Sequence, residues 1–229
     1  MRRLFLTTLL AGALGHAAFA TVTLQLSSGA TTVTVADGSG SDINPLAGTV
    51  SYSNPSLNGW VLNITSGTSH SPNLVPFGID LTSLVATCSG GPCSTDPLHV
   101  LLSDTDFNVP VAAGGFTTTY SGTLTGSAAS TSESAYFSNT NALFAETTLI
   151  GTVGPFNAPG GAGSASGGAI AAVPPYSLTL DQVFNAGGGP ASFSVDGNIT
   201  AVPEPATVGL FGTLAGLCGL ALRRRRTAA

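Results

Sequence analysis

The chain has 229 residues, of which 7% are charged and 43% hydrophobic, with 30 glycines and 14 prolines. That Gly and Pro content excludes a mainly helical protein or a coiled coil, while the length suits one domain with a real core. There is no lysine, and the six basic residues are Arg2, Arg3 and Arg223 to Arg226, so ten of the eleven acids lie in a body without Lys or Arg. Phosphate binding rests on those two side chains, which excludes nucleic-acid binding and nucleotide chemistry.

In chain order, Met1-Arg2-Arg3 leads an apolar run from Leu4 to Leu14 and then Ala18-Phe19-Ala20. A basic start, about a dozen apolar residues and small residues at −3 and −1 predict a signal peptide over 1–20, cut after Ala20 by signal peptidase. The competing reading is a permanent anchor, for which the run is short.

From residue 21 to 201 strand signals recur every 10 to 15 residues. Val22, Leu24 and Leu26 alternate with polar residues, as do Val33 and Val35, then Trp60, Leu62 and Ile64. Leu98, Val100 and Leu102 do the same, followed by Tyr176, Leu178 and Leu180, and by Phe193 and Val195. Period-two patterning between Gly, Pro, Asn and Asp clusters predicts half-buried antiparallel strands. Turns are expected at Asp37-Gly38, Asn58-Gly59 and Asp196-Gly197, and a flexible surface loop over 158–168. About ten to twelve strands without a helical stripe predict an all-β antiparallel β-sandwich of jelly-roll kind. Cys88 and Cys93 bracket Ser89-Gly90-Gly91-Pro92. In an exported protein they are expected to form a disulfide, the alternatives being a free pair or half of a metal site.

Catalytic patterns are incomplete. Gly163-Ser164-Ala165-Ser166-Gly167 carries alanine where a nucleophile elbow needs serine. The sequence around Ser69 and His70 lacks the closing glycine, and His99 is expected to face solvent. Asp80, Asp104, Asp106, Glu133 and Asp181 are candidate carboxylates for glycoside hydrolysis, but the lone Trp60 stands at core spacing rather than as a stacking platform. Asp104-Thr105-Asp106-Phe107-Asn108 starts like a calcium loop yet has Val109 and Gly115 at the sixth and twelfth positions. Asp37 to Asn44 could also present oxygens, although loop-end Asp and Asn ordinarily bond nearby backbone. No catalytic residue, metal ligand or cofactor is assigned.

The C-terminal part is more specific. Val202-Pro203-Glu204-Pro205 holds the chain extended. Residues 206–222 are seventeen without a charge, reaching about 26 Å as a helix, short for a bilayer. Arg223, Arg224, Arg225 and Arg226 follow as a stop-transfer cluster expected to remain cytoplasmic. Gly209, Gly212, Gly216 and Gly219 either let two such helices pack or make a weak, disposable anchor, and Cys218 reads as apolar filler. The three parts over 202–229 resemble the PEP-CTERM sorting signal, whose tails are read by exosortases, membrane-embedded cysteine peptidases of Gram-negative bacteria. Short body segments, among them Asp42 to Gly48 and Ser103 to Phe107, resemble stretches of other PEP-CTERM exported proteins.

The resemblance implies cutting at Pro203, Glu204 and Pro205, an inner-membrane intermediate held by its helix, and a final place at the cell surface or outside it. The partners implied are exosortase, signal peptidase and the membrane, with exopolysaccharide as a further candidate. The expected role is a non-catalytic surface or matrix protein in a biofilm context. The alternative is a secreted polysaccharide-binding module or polysaccharide-active enzyme.

Overall fold

Alternation of apolar residues with Ser and Thr makes ribbons with one face to bury and one to leave in water. The computed structural model describes residues 22–69, 78–108, 111, 115–167, 170 and 172–202. Its strands are β1 (Thr23–Ser28), β2 (Thr31–Ala36), β3 (Thr49–Leu57), β4 (Trp60–Ser69), β5 (Gly78–Cys88), β6 (Leu98–Phe107), β7 (Phe116–Thr125), β8 (Ser130–Ser138), β9 (Thr148–Asn157), β10 (Gly160–Ser166), β11 (Tyr176–Asn185) and β12 (Ala191–Ala201). One 3-10 turn, Pro92–Ser94, is the helical content of the described residues.

These strands form an all-β antiparallel sandwich of two six-stranded sheets. One runs β2-β1-β6-β11-β8-β9 and the other β10-β7-β12-β5-β4-β3. Eight strands pair in nested order: β5 with β12, β6 with β11, β7 with β10, and β8 with β9. The hairpins β1–β2 and β3–β4 extend the sheets beside β6 and β5.

Strand direction sorts the connections. Six of them, β1–β2, β3–β4, β5–β6, β7–β8, β9–β10 and β11–β12, lie at one end, the turn end. The β2–β3, β4–β5, β6–β7, β8–β9 and β10–β11 connections lie at the other, together with the start of β1 and the end of β12. At the turn end Asn58-Gly59 makes the expected two-residue hairpin, with φ of 49° and 86° as a type I′ turn requires. There too the expected disulfide joins Cys88 to Cys93, their Cα atoms 5.8 Å apart.

The core follows the sequence pattern: Val22, Leu24, Leu26, Trp60, Leu62, Leu98, Val100, Leu102, Tyr176, Leu178, Leu180, Phe193 and Val195 are buried. Aromatic rings gather at both ends. Tyr176 contacts Phe107, Phe116 and Phe137 with centroids 5.3 to 5.8 Å apart. Phe193 contacts Trp60 at 5.8 Å and Phe184 at 5.2 Å.

Two local expectations are corrected. Asp196-Gly197 is no turn but continuous strand in β12, facing a bulge in β5 where Thr82 and Ser83 stand between the pairs Val195↔Leu84 and Gly197↔Leu81. Regular alternation along β12 points Asp196 outward, its Oδ1 accepting a 2.7 Å hydrogen bond from N of Ser83 in the β5 bulge, and turns Gly197 into the core. Residues 158–168 are not a flexible loop, because 160–166 form β10, paired with β7 from Gly160↔Thr123 to Ser166↔Thr117. The glycines are there for close approach: a Cβ on Gly161 would strike the Phe156 ring, and one on Gly163 would come within 2.8 Å of Val153.

Candidate functional site

The expected processing residues Ala18, Ala20, Pro203, Glu204, Pro205, Arg223, Arg224, Arg225 and Arg226 lie outside the described residues. The structure does show what immediately precedes them. β12 is an inner strand, bonded to β5 on one side and β7 on the other. Its last residue is Ala201, and Val202 N then donates to Gly115 O at 3.0 Å. Pro203 is the next residue in the sequence, so the described chain ends at Val202, at the end of the sandwich opposite the disulfide. Among the described residues no helix is long and apolar enough to cross a membrane, and the expected span, 206–222, lies outside them.

On the outer face of the first sheet the structure brings together residues the sequence pattern left apart. The β8–β9 connection, 139–147, is tied to that face, with Phe144 N donating to Ser103 Oγ at 3.0 Å. Ser103 and Thr179 are thereby fully buried although they point away from the core, their hydroxyls 2.9 Å apart. Beside this connection His99, 40% exposed, pairs with Asp181 at 3.4 Å. The Asp181 hydrogen bond raises the imidazole pKa, burial opposes it, and the Asp181 and Glu146 charges add to the rise. Burial raises the Glu146 carboxyl, helped by Asp181 and opposed by His99. Tyr136 completes the group, its phenol raised by burial and further by Glu146 and Asp181, against the Ser134 hydrogen bond. Sequence reasoning assigned His99 to solvent correctly but missed this cluster, since its members come from β6, β8, β11 and a connection.

Two of the candidate carboxylates are buried. Glu133 on β8 is fully enclosed between the sheets. Thr118 Oγ1 donates to its Oε1 at 2.6 Å and Gln182 Nε2 to its Oε2 at 2.9 Å. A Cβ on Gly197 would overlap this carboxylate and the Gln182 amide, so the missing side chain at Gly197 makes room for the acid. Burial lifts Glu133 to about 7, against the pull of those two hydrogen bonds, and the Asp80 charge adds to the rise. Asp104 on β6 is likewise fully buried. Burial raises it to about 6, opposed by the Ser69 hydroxyl and by Thr105 N, and reinforced by Asp106 and Asp37. Thr105 N donates to its Oδ1 at 2.7 Å.

The remaining candidates serve the fold. Asp106 and Asn141 hold each other, Asn141 Nδ2 donating to Asp106 Oδ1 at 2.7 Å and Asp106 N to Asn141 Oδ1 at 2.8 Å. Asp42 Oδ1 accepts from Asn44 N and Ser51 N, both at 2.9 Å, and Asp37 Oδ2 accepts from Gly48 N at 2.6 Å. No three His, Cys, Asp or Glu side chains among the described residues gather as metal ligands. Ser164 and Ser166 lie on β10, and His70 falls outside the described residues.

An antiparallel β-sandwich whose inner C-terminal strand leads straight into a proline-flanked glutamate and an apolar segment is the class of protein these observations define. Residues 201–226 match the PEP-CTERM protein-sorting motif. The chain therefore carries the signal of an exosortase substrate, a protein exported and sorted to the cell surface. No curated protein matches it. Among solved structures it is similar to the C-terminal CBM6 of LamC from Zobellia galactanivorans, at 14% identity and TM-score 0.28 over 66% of this chain and 98% of that one. It is also similar to the active domain of tailspike protein 4 of bacteriophage CBA120, at 14% identity and TM-score 0.32 over 61% and 19%. A third is the structure of infectious bursal disease virus, Gx strain, at 13% identity and TM-score 0.27 over 79% and 50%. At such scores these likenesses carry no argument about ligand or activity.

Proposed function

We propose that this chain is a non-catalytic surface or matrix protein, exported through a signal peptide over 1–20 and held by a membrane helix over 206–222 until an exosortase cuts at Pro203, Glu204 and Pro205. The nested pairing of β5 through β12 reads as a jelly roll, rolled so that its last strand ends where the membrane segment starts. The observation that carries the reading is the sorting motif abutting β12, with Val202 tied to Gly115. Once the tail is removed, the folded sandwich is what remains at the surface, in a matrix of exopolysaccharide. Mass spectrometry of protein recovered from envelope and medium tests this. The expected product starts at Thr21 and ends between Pro203 and Pro205. Recovery of only full-length chains retaining Arg223 to Arg226 overturns it.

One observation favours a second reading, a polysaccharide-binding module. His99, Asp181, Glu146 and Tyr136 share one face, offering paired polar groups beside an aromatic ring, which is what a sugar surface takes. Affinity electrophoresis through the host's exopolysaccharide separates the two. Retardation abolished by Tyr136→Ala supports binding there, and equal mobility with and without polysaccharide rejects it.

A further inference from the structure

The described residues include five large apolar side chains that remain strongly exposed: Ile43, Leu46, Leu143, Leu149 and Val173. Ile43 and Leu46 lie in the β2–β3 connection, Leu143 in β8–β9 and Val173 in β10–β11, while Leu149 is the second residue of β9. All five therefore belong to the end of the sandwich from which Val202 departs, and none to the turn end. Four of them are more than half exposed, with Leu46 and Val173 both at 66%. Isolated exposed apolar residues are ordinary; their segregation to one end is the unusual fact.

The chain beyond Val202 says what covers this end. Only Pro203-Glu204-Pro205 separate Val202 from the uncharged run that starts at Ala206. Three extended residues span at most about 10 to 11 Å. The headgroup layer on one side of a bilayer is itself roughly 5 to 8 Å thick. With 206–222 in the hydrocarbon, the spacer is used up in crossing the headgroups, and the end of the sandwich is drawn down onto them. The charge pattern decides the kind of contact. Asp37 and Asp42 lie on a connection at this end and Asp106 just inside β6, and residues 22–202 contain no Lys or Arg. The attraction is then apolar rather than electrostatic, and anionic lipid weakens it.

We propose that, before processing, the tail-bearing end docks on the outer surface of the bilayer, with Ile43, Leu46, Leu143, Leu149 and Val173 entering the boundary between headgroups and acyl chains. This rests on the reading of 206–222 as a membrane anchor. Docking holds the segment 203–205 at a fixed depth against the surface, where a membrane-embedded peptidase acts. It also supplies a release step, since removal of the anchor leaves only these few side chains, too little apolar surface to retain the body.

The test uses the full chain carrying Cys218→Ser, reconstituted into phosphatidylcholine vesicles with and without phosphatidylglycerol. A single environment-sensitive label is attached, without reductant, through Leu46→Cys or Val173→Cys at the tail end, or through Ala30→Cys or Ser127→Cys at the turn end. Labels at 46 and 173 are expected to show blue-shifted emission, several-fold less quenching by iodide than labels at 30 and 127, and quenching by a lipid-borne quencher. The contrast should diminish with phosphatidylglycerol and survive high salt. A chain that resists carbonate extraction while all four labels are equally wet overturns docking and leaves the anchor intact. A chain extracted by carbonate overturns the anchor reading and docking with it. Protection of 46 and 173 that appears only when exosortase is co-reconstituted overturns the bilayer as the occupant in favour of the peptidase.

Discussion

Glu133 is the residue whose position has the most consequence for stability. A carboxyl whose folded pKa is about 7 binds a proton in the folded chain through a range where the unfolded chain has released it. Folding is then disfavoured progressively as pH rises through 4.5 to 7. The displacement corresponds to a loss on the order of 3 kcal/mol above that window. Asp104, raised to about 6, acts with the same sign over a lower range. His99 also agrees, since a raised imidazole contributes stability below its unfolded pKa and loses it as pH rises through the higher folded one. The sandwich should unfold at a higher temperature at pH 5 than at pH 8. Glu133→Gln should raise the melting temperature at pH 8 and remove the larger part of this slope. A melting temperature that is flat in pH, or a slope unchanged by the substitution, contradicts the assignment. The amide fits once the Gln182 side-chain amide flips, so that its Oε1, which has no protein hydrogen bond in the native chain, accepts from it in place of the Nε2 donor while Thr118 still donates to the amide oxygen.

At the scale of elements, β10 shows how composition misleads. Its sequence, GGAGSAS, has no β-branched or aromatic residue and reads as a linker by intrinsic propensity. What makes it a strand is the ladder to β7 and the rings it must clear: Phe156 stacks on Tyr120 with centroids 5.3 Å apart, directly where side chains on Gly161 and Gly163 would stand. Gly161→Val should therefore lower stability by about 1 to 3 kcal/mol through overpacking, as measured by urea denaturation. Gly189→Ala, where a Cβ meets nothing within 4 Å, should be close to neutral. Equal midpoints for the two variants would return this segment to a loop. By contrast β1, β6 and β11 were legible at once, because strict alternation over five or more residues leaves one burial pattern for a sheet with a single wet face. Asp196-Gly197 was not, since a turn dipeptide and a strand segment facing a bulge in β5 share the same residues and differ only in what lies opposite.

For the molecule as a whole, the two ends have different work. The turn end is closed by its connections and by the Cys88–Cys93 bridge, and Gly188 N donates to Ser94 O across it at 2.9 Å. The other end gathers both chain exits and the exposed apolar side chains. β12 is paired on both edges through residues up to Ala201, so cutting beyond Val202 leaves these two ladders intact. The proposed product is therefore a folded body, and the processing experiment should recover it with the melting temperature of the uncut chain's sandwich.

The address and the strand pattern are local properties: a sorting motif is read along about 26 consecutive residues, and a period-two alternation within one strand fixes which face is buried before any partner is known. Sequence alone was therefore enough for export, for the sandwich class and for the bridge between two cysteines five residues apart. Whether Glu133 is a surface acid or a buried one depended on Gln182, Thr118 and Gly197 arriving from other strands, and which end of the sandwich carries the tail depended on the pairing of β12 with β5 and β7. Those meetings are set by sheet pairing across long stretches of chain, which no short-range pattern encodes.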